Sequence, residues 1–320
     1  MKIKKFEVIS YQHSMREQWN KFVRAFSVFF QWQRDYLEYH ANRFQDASLL
    51  VLDKKQEIRA IFPANQNVNA IHSHEGLSFG GILFSIPIHI SDLISIGKEI
   101  LNYYKEKKVQ KIYIKPLPWW LTIHQSNLEE LLWQQLGAIL YKSEFNLMVP
   151  LQEPASYQYR RKRMMQKAQK VGVSVSESND YREFWQILTT NLQRKYQIAP
   201  VHSLQEIEKL QSFFPENIKL YVSYLSNQLI GGIVLYDYSP LIAHAQYIAS
   251  NETGRKYGAL DFLVHELIEK YRSHRKFFSL GVNTLRPSDA LNWGLVEWKE
   301  GFSAKPYVQH QFKINLSEMT

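Results

Sequence analysis

A polar, basic and glycine-containing segment at residues 251–259 has the composition of an anion site. It follows a strand-like run and leads into a helix-like run, so it is predicted to lie at a helix N-terminus. Unpaired backbone N–H groups and the helix dipole attract negative charge there. Gly254 and Gly258 would let the backbone approach a phosphate, and Arg255 and Lys256 would add full charges. Two glycines are a weak motif, so a plain strand–helix connection is the alternative interpretation.

The strand-like run at 241–250, which precedes this segment, is predicted to have small residues on one face and mostly polar residues on the other. Small side chains on a strand would let a ligand approach the backbone closely. The two faces are predicted to be Ala243, Ala245, Tyr247 and Ala249 on one side, and His244, Gln246 and Ile248 on the other.

A helix-like run at 157–170 carries a row of cations. Arg160, Arg163, Lys167 and Lys170 recur at helical spacing beside an apolar stripe. A one-sided row of this kind could neutralise several phosphates, as the binding of a tRNA would require. A solvated helix face is the alternative interpretation.

Two histidines in the first half of the chain, His72 and His74, would share one face of a strand. With Glu75 or His89 they could ligate a metal, but no third ligand has suitable spacing and the neighbouring glycines indicate a tight loop. We therefore expect no metal site. We expect instead a loop in a cleft between domains, where His74 hydrogen-bonds an acceptor substrate, and a structural turn is the alternative.

The composition is that of a globular protein with anionic partners. Of the 320 residues, 45% are hydrophobic and 22% are charged. The 39 Lys and Arg residues exceed the 30 Asp and Glu residues by 9, which favours nucleotides, phosphates, nucleic acid or an anionic membrane surface as partners. The absence of cysteine excludes disulfides, thiolate metal sites and cysteine nucleophiles.

The sequence shows no targeting signal and no bilayer-spanning run. Its first residues are charged and then alternating, without the apolar region of a signal peptide. No apolar run reaches the ~18 residues that a membrane span needs. Neither Gly-x-Ser-x-Gly nor Gly-Lys-Ser/Thr occurs, so serine-triad and Walker-type signals are missing. We expect a cytoplasmic enzyme or binding protein with no membrane span.

Strand-like and helix-like runs alternate along the whole chain, and the alternation begins again after a break at residues 152–154. This pattern predicts a mixed α/β (α+β) architecture of two similar domains, 1–152 and 153–320. A single continuous domain is the alternative. The predicted helices cover 15–26, 90–107, 128–136, 157–170, 181–196, 204–213, 257–272 and 291–302.

The segment at 251–259 resembles the pyrophosphate loop of GNAT-type acyltransferases. Arg255-x-x-Gly258-Ala259, at a strand-to-helix junction, matches most of the family pattern Gln/Arg-x-x-Gly-x-Gly/Ala. The third small residue of that pattern would fall on Leu260, with Ala259 one place early.

Further segments are similar to the Fem-type branch of that superfamily, which comprises peptidoglycan bridge aminoacyltransferases and Fem-like N-acyltransferases. The similarity touches both halves of the chain and is strongest over 156–312. The segments that carry it are 73–81, His244-Ala245-Gln246-Tyr247-Ile248-Ala249, Gly254-Arg255, Gly258-Ala259-Leu260-Asp261 and the late run Trp298-Lys299-Glu300-x-Phe302. The long helical arm that some bridge-forming enzymes insert in the second domain is missing from this sequence.

The resemblance implies two tandem GNAT-like domains, each a mixed, mostly antiparallel sheet flanked by helices. It implies an N-acyltransferase whose second domain binds the acyl donor, with a degenerate first domain on the acceptor side. The donor would be acetyl-CoA or another acyl-CoA, which the glycines and Arg255 favour, or alternatively an aminoacyl-tRNA. The acceptor would be a small-molecule amine or a peptidoglycan precursor. The implied donor-binding residues are Gly254, Arg255, Lys256, Tyr257, Gly258 and Ala259.

Acyl transfer to an amine needs an acceptor for the amine proton and N–H donors for the developing oxyanion. The resemblance places the oxyanion donors on the strand backbone around Tyr247. Lys299 interrupts a helix that otherwise looks core-facing, so we expect it to hold donor phosphate or stabilise transition-state charge; a solvated lysine is the alternative. Asp261 lies in the first turn of a helix, where a carboxylate also stabilises the dipole. The candidates are Lys299, Asp261 and Tyr247 for catalysis, and His74, His244 and Gln246 for the acceptor.

Two other classes of function fit the same sequence. A non-catalytic binding module would keep the fold without the chemistry, and Lys299 together with the Arg255/Gly258 segment would distinguish it from an enzyme. An RNA-binding protein would use the basic row from Arg160 to Lys170, with strong salt dependence.

Overall fold

The computed structural model describes residues 5–285 and 290–318, and it divides into two compact units. The first unit contains residues 1–143 together with 309–320, and the second contains 144–308. The chain passes from one unit to the other within two long strands, β9 Ile139–Pro150 and β17 Lys305–Asn315. The prediction assigns residues 1–152 to one domain and 153–320 to the other. In the structure, the first unit also contains residues 309–320.

The first unit places its strands in two sheets, with orders β1-β3-β4-β7 and β17-β8-β6-β5-β2. Its strands are β1 Phe6–Ser10, β2 Gln45–Asp46, β3 Leu49–Asp53, β4 Ile58–Phe62, β5 Asn65–Asn67, β6 Ala70–His72, β7 Leu83–Phe84 and β8 Lys111–Ile114, followed by β9 Ile139–Pro150. Its helices are α1 Arg16–Phe26, α2 Arg34–Leu37, α3 Ile90–Glu106 and α4 Leu128–Gln135.

The second unit has the strand order β10-β11-β12-β13-β14-β9. Its strands are β10 Ser174–Ser178, β11 Ile218–Leu225, β12 Gln228–Tyr238, β13 Ile242–Ser250, β14 Phe277–Val282, β15 Thr284–Leu285 and β16 Ala290–Leu291, and β17 Lys305–Asn315 returns to the first unit. Its helices are α5 Tyr159–Lys170, α6 Tyr181–Tyr196, α7 Leu204–Phe213, α8 Glu252–Tyr257, α9 Ala259–Tyr271 and α10 Trp293–Glu300.

Each unit has its own apolar core. In the first unit, Ile96 and Ile100 of α3 and Trp133 of α4 pack with the buried side chains of the sheets. In the second unit, Leu263 and Leu267 of α9 belong to the cluster that covers one face of β12, β13 and β14. Helices that bury a stripe at spacing 3.6 against a sheet account for both cores.

The predicted fold class is confirmed: the chain is a mixed α/β (α+β) protein with mostly antiparallel sheets flanked by helices. The predicted helices at 181–196 and 204–213 match α6 and α7 residue for residue, because each has a clear N-cap. Asp180 accepts a hydrogen bond from the Arg182 amide, and Ser203 forms a capping box with Glu206.

Candidate active site

The candidate site of the second unit lies where two parallel strands separate. Strands β13 and β14 are paired over three positions only, of which the last joins His244 to Ser279. Beyond that position the carboxyl ends of the two strands part. Ligands of open α/β sheets bind at such carboxyl ends, because the parting strands leave backbone and side chains exposed to a crevice.

A β-bulge in β13 changes which side chains share a face. Val234 is opposite Tyr247 and Leu235 is opposite Ala245, so Gln246 is the extra residue between them. Ala245 and Tyr247 therefore lie on opposite faces, and the predicted single face of Ala243, Ala245, Tyr247 and Ala249 is wrong. Strict alternation fails here because a bulge is not visible in the periodicity of one strand.

The bulge brings three of the predicted residues together. His244 and Tyr247 lie on the same face of β13, and Gln246 hydrogen-bonds to the His244 side chain. His244 Nδ1 is also 2.9 Å from Ser279 Oγ on the neighbouring strand. Burial, with the charge of Lys299 nearby, lowers the pKa of His244 to about 4. At neutral pH the imidazole is therefore uncharged and can accept a proton.

Lys299 is buried, with 2% of its surface exposed, although it is a lysine on a short helix. Its Nζ donates to the carbonyl oxygens of Gly281 at 3.0 Å and Val282 at 2.8 Å, at the end of β14. Burial lowers the pKa of Lys299 to about 7. The alternative of a solvated lysine is excluded by this geometry.

Gly281 links Lys299 to the histidine. Its φ of +78° is in the left-handed region, which turns its carbonyl towards Lys299. Its amide donates to Ser279 Oγ at 3.3 Å, and that hydroxyl is the partner of His244. A neutral imidazole and an ammonium group are thus held at one point, where one can take a proton and the other can stabilise negative charge.

Tyr247 is buried against the helices of the second unit. Its ring packs edge-on against Trp185 of α6 at 5.2 Å, and its hydroxyl hydrogen-bonds to Nδ1 of His202. His202 was not singled out from the sequence, because it lies 45 positions away in a connection between helices. Only the packing of α6 and α7 on the sheet brings it to the strand.

The segment at 251–259 is helical, which contradicts the predicted loop. Asn251 caps the short helix α8, and its side chain accepts a hydrogen bond from the Gly254 amide at 2.9 Å. The Arg255 amide donates to the Asn251 carbonyl, and the Gly258 amide donates to the Gly254 carbonyl. These amides already have protein acceptors, so they cannot grip a phosphate in the predicted way.

The two glycines are explained by close packing. A Cβ on Gly254 would lie 2.1 Å from the carbonyl oxygen of Ile230, and one on Gly258 would lie 2.6 Å from that of Met164. Gly258 also has a φ of +76°, which ends α8 and starts α9. Ala259 is fully buried at this junction. The small residues allow helices and strand to approach each other.

The remaining side chains of the segment contact protein groups as well. Arg255 donates to the carbonyl of Ser250 at 2.8 Å, and the Lys256 carbonyl accepts from Lys167 Nζ at 2.7 Å. The Tyr257 ring lies between two ammonium groups, at 5.1 Å from Lys256 and 5.4 Å from Lys167.

Asp261 is buried in an ion pair with Arg161 of α5. Burial raises the pKa of Asp261 to about 6, and the guanidinium opposes this rise. The geometry is that of a contact between α5 and α9, where one buried charge compensates another. The helix-dipole interpretation and this ion pair together account for Asp261 without a substrate.

The basic row of α5 is solvent-exposed, as the solvated-face interpretation requires. The exposed cations of the helix are Arg160, Lys162, Arg163, Lys167 and Lys170. Helix α5 contains no acidic residue, so this charge is not compensated within the helix. The amide of Gln158 donates to the carbonyl of Gly301 at 3.0 Å, so α5 begins beside the end of the helix that carries Lys299.

His74 lies inside the first unit. It is 5% exposed, and its ring packs against His40 at 5.6 Å and Phe44 at 5.2 Å between centroids. Burial lowers the pKa of His74 to about 3, so the ring is neutral. A ring this deeply buried cannot hydrogen-bond a substrate in this arrangement, which favours the alternative of a structural turn.

The first unit also has a short parallel pair, β6 and β8, which are paired from Ala70 to His72. After His72, both Ser73 and Gly80 hydrogen-bond to Lys115, the residue that follows β8. The Lys115 amide donates to Ser73 Oγ at 2.8 Å, and the Gly80 amide donates to the Lys115 carbonyl at 2.7 Å. Hydrogen bonds therefore continue beyond the parallel pair of the first unit, whereas the pairing of β13 and β14 ends at His244 and Ser279.

Across residues 5–285 and 290–318, no group of three or more His, Asp or Glu side chains is placed to hold a metal ion. Among the helices that the structure describes, none combines the length and the apolar character that crossing a bilayer requires.

Comparison with known proteins gives structural neighbours only. No protein-family model and no curated protein matches the sequence. A crystal structure of FemX is similar over 97% of this chain and 97% of its own, with a TM-score of 0.67 and 11% identity. L-PGS from Bacillus licheniformis is similar over 94% of this chain and 91% of its own, with a TM-score of 0.62 and 12% identity.

A tandem GNAT protein from the clavulanic acid biosynthesis pathway covers 99% of this chain and 100% of its own, with a TM-score of 0.52 and 9% identity. At these identities the likeness establishes the fold. The chain therefore shares its fold with FemX over 97% of its length and with this tandem GNAT protein over 99%, which agrees with the sequence resemblance.

Proposed function

We propose that this protein is an N-acyltransferase that moves an acyl group from an activated carrier to an amine. The observation that carries the proposal is the connection of a neutral His244 to the buried amino group of Lys299 through Ser279 and Gly281, at the point where β13 and β14 separate. The fold, shared with tandem GNAT and Fem-like proteins, supports a transferase.

The acyl donor would bind to the second unit and the amine acceptor to the first. The hydrogen bonding of the two parallel pairs supports this assignment: β13 and β14 stop pairing at His244 and Ser279, whereas Ser73 and Gly80 continue the bonding beyond β6 and β8. The first unit would therefore be the degenerate domain that the sequence resemblance implies. The acceptor that the resemblance suggests is a small-molecule amine or a peptidoglycan precursor.

The reaction would proceed through a tetrahedral intermediate. The amine nitrogen attacks the acyl carbonyl carbon and forms the C–N bond, while the negative charge that develops on the oxygen is stabilised by Lys299. His244 takes the proton that the nitrogen loses and gives it to the carrier as the carrier's bond to carbon breaks. Gln246 and Ser279 hold the imidazole in place.

An aminoacyl-tRNA is the carrier that the structure favours. The preference for acyl-coenzyme A depended on Arg255 and the two glycines of the segment, but the glycines are explained by packing and the amides of Gly254, Arg255 and Gly258 have protein acceptors. The exposed cations of α5, beside the helix of Lys299, match the phosphates of a nucleic acid. Acyl-coenzyme A is the second candidate, because the exposed Lys256 and Lys167 could contact its phosphates through side chains.

The test compares aminoacyl-tRNA with acetyl-coenzyme A, using labelled acyl groups and a panel of amine acceptors. The double variant Arg160→Glu/Arg163→Glu should raise KM for the tRNA. It should also reduce the slope of the logarithm of the binding constant against the logarithm of the salt concentration by about 1 to 2. The double variant Lys54→Glu/Lys55→Glu, on an exposed turn of the first unit, makes the same change of charge and should leave both unchanged.

Transfer from acetyl-coenzyme A but not from aminoacyl-tRNA would contradict the preference for aminoacyl-tRNA and identify acyl-coenzyme A as the carrier. Absence of binding and transfer with both carriers would contradict the proposed function and leave the non-catalytic binding module as the better interpretation.

A further inference from the structure

In the first unit, the sheet that contains β6 and β8 has polar and aromatic side chains on the face that points away from the core. Ile71 of β6 and Ile112 and Ile114 of β8 point into the core, where they are buried. The residues between them in the alternation, His72 and Tyr113, therefore point to the opposite face. Both are partly exposed, and they are directly paired in the parallel register.

Three rings on this face are packed together. The rings of His72 and Tyr113 stack at 4.8 Å with an interplanar angle of 14°, and Tyr141 meets Tyr113 edge-on at 5.6 Å. Tyr141 is 49% exposed, so the group opens to solvent. The rings hold one another in place, which is the preorganisation that a recognition surface needs.

A carboxylate completes this group, which we call the His72 cluster: His72, Glu75, Tyr113 and Tyr141. Glu75 Oε1 is 3.7 Å from His72 Nδ1, and Glu75 Oε2 accepts a hydrogen bond from Asn65 at 2.8 Å. The Glu75 amide donates back to the Asn65 side chain at 2.8 Å. Glu75 is therefore fixed although its side chain is 34% exposed.

The His72 cluster contains one carboxylate, that of Glu75, and two lysines neighbour its other members. Burial lowers the pKa of His72, so at neutral pH the ring offers a nitrogen lone pair rather than a charge. Lys115 also lies near His72, but its ammonium donates to the Leu77 carbonyl. Lys313 pairs with Tyr113 across the sheet. Glu75 is the anion that the cluster itself contains.

We propose that the His72 cluster is a binding site for a primary ammonium group. Glu75 supplies the compensating charge, His72 and the Tyr113 hydroxyl accept N–H hydrogen bonds, and the tyrosine rings border the cation. The identification of this ammonium with the amine of the acyl acceptor rests on the proposed function, whereas the site itself does not.

The experiment titrates n-butylammonium into the full-length protein near neutral pH and follows the imidazole C–H signals of His72 by NMR. The signals are assigned by their loss in His72→Asn. A saturable shift is expected, together with about tenfold weaker binding in Glu75→Gln. n-Butanol, which has the same chain without the charge, should cause no saturable shift.

Glu130→Gln is the matched control. Glu130 forms another His–Glu pair in the same unit, with Oε2 at 3.0 Å from His310 Nδ1, and its loss should leave n-butylammonium affinity unchanged. No saturable shift, an equal response to n-butanol, or equal weakening by both substitutions would overturn the proposal. No acyl donor is present in this titration, so failure of the donor assignment would leave its result unaffected.

Discussion

At the scale of single residues, the second unit places a lysine where lysines are rarely found. Lys299 is almost completely buried, and the groups that its ammonium contacts are two backbone carbonyls rather than a carboxylate. The charged form is therefore destabilised by burial, and the pKa falls to about 7 from an ordinary value of 10.5. This cost supports the proposed role of Lys299 in stabilising charge during the reaction.

This depressed pKa predicts a dependence of stability on pH. Between pH 7 and 10.5 the unfolded chain holds a proton on Lys299 that the folded chain has released, so the free energy of unfolding should rise with pH in that interval. The contribution is on the order of a few kcal/mol. Urea unfolding at several pH values should show this rise in the parent protein and not in Lys299→Met.

The control is Lys162→Met, which removes an exposed lysine of α5. Its free energy of unfolding should rise with pH as steeply as that of the parent protein. Equal slopes for the parent protein and Lys299→Met would show that Lys299 stays protonated in the folded state throughout the interval.

At the scale of secondary structure, two properties of Gly258, its backbone conformation and its close packing, determine the junction of α8 and α9. Gly258 has a left-handed φ, and it faces the Met164 carbonyl of α5 too closely for any side chain. The junction therefore places the basic helix against the segment that follows β13. Its glycine is required by packing and conformation, and a bound phosphate is not needed to explain it.

Two glycine substitutions distinguish the cost of the left-handed φ from the cost of the close contact with Met164. Gly172→Ala introduces a side chain at a φ of +83° with no atom within 4 Å, and should cost about 1 kcal/mol through backbone strain alone. Gly258→Ala adds the contact with Met164 and should cost about 1 to 3 kcal/mol more. Denaturant unfolding of the two variants measures the difference, and equal costs would mean that α5 moves away freely.

At the scale of the whole molecule, the first unit is assembled from two separate segments of the chain. Residues 309–320 belong to the first unit, where β17 pairs with β8 and places Phe312 and Ile314 in the core at 1% exposure each. Strand β17 is therefore needed to complete the core of the first unit, and residues 144–308 are inserted between the two segments of that unit.

This arrangement predicts a large effect for a residue near the C-terminus. Phe312→Ala should destabilise the first unit by about 3 to 5 kcal/mol, because it removes a fully buried ring from the core. Val308→Ala, at 52% exposure only a few residues earlier, should change stability by less than about 0.5 kcal/mol. Hydrogen exchange of the β8 amides, residues 111–114, reports the first unit directly; unchanged protection in Phe312→Ala would contradict the role given to β17.

The sequence was a good guide wherever structure is decided by near neighbours. Helices α6 and α7 were predicted to the residue, since their caps and apolar spacing are local. Lys299 was recognised as unusual because its neighbours on the helix are apolar. The mixed α/β class followed from the alternation of periods along the chain.

Partnerships between distant residues were decided by the tertiary structure. The bulge at Gln246, the pairing of His244 with Ser279 and the contact of Tyr247 with His202 all join elements far apart in the chain. A glycine before a helix is equally compatible with an anion site and with close packing, and the position of the Met164 carbonyl decides between them. Periodicity reports which side of an element is apolar, whereas strand order and helix packing determine what that side meets, and a single sequence does not contain those long-range distances.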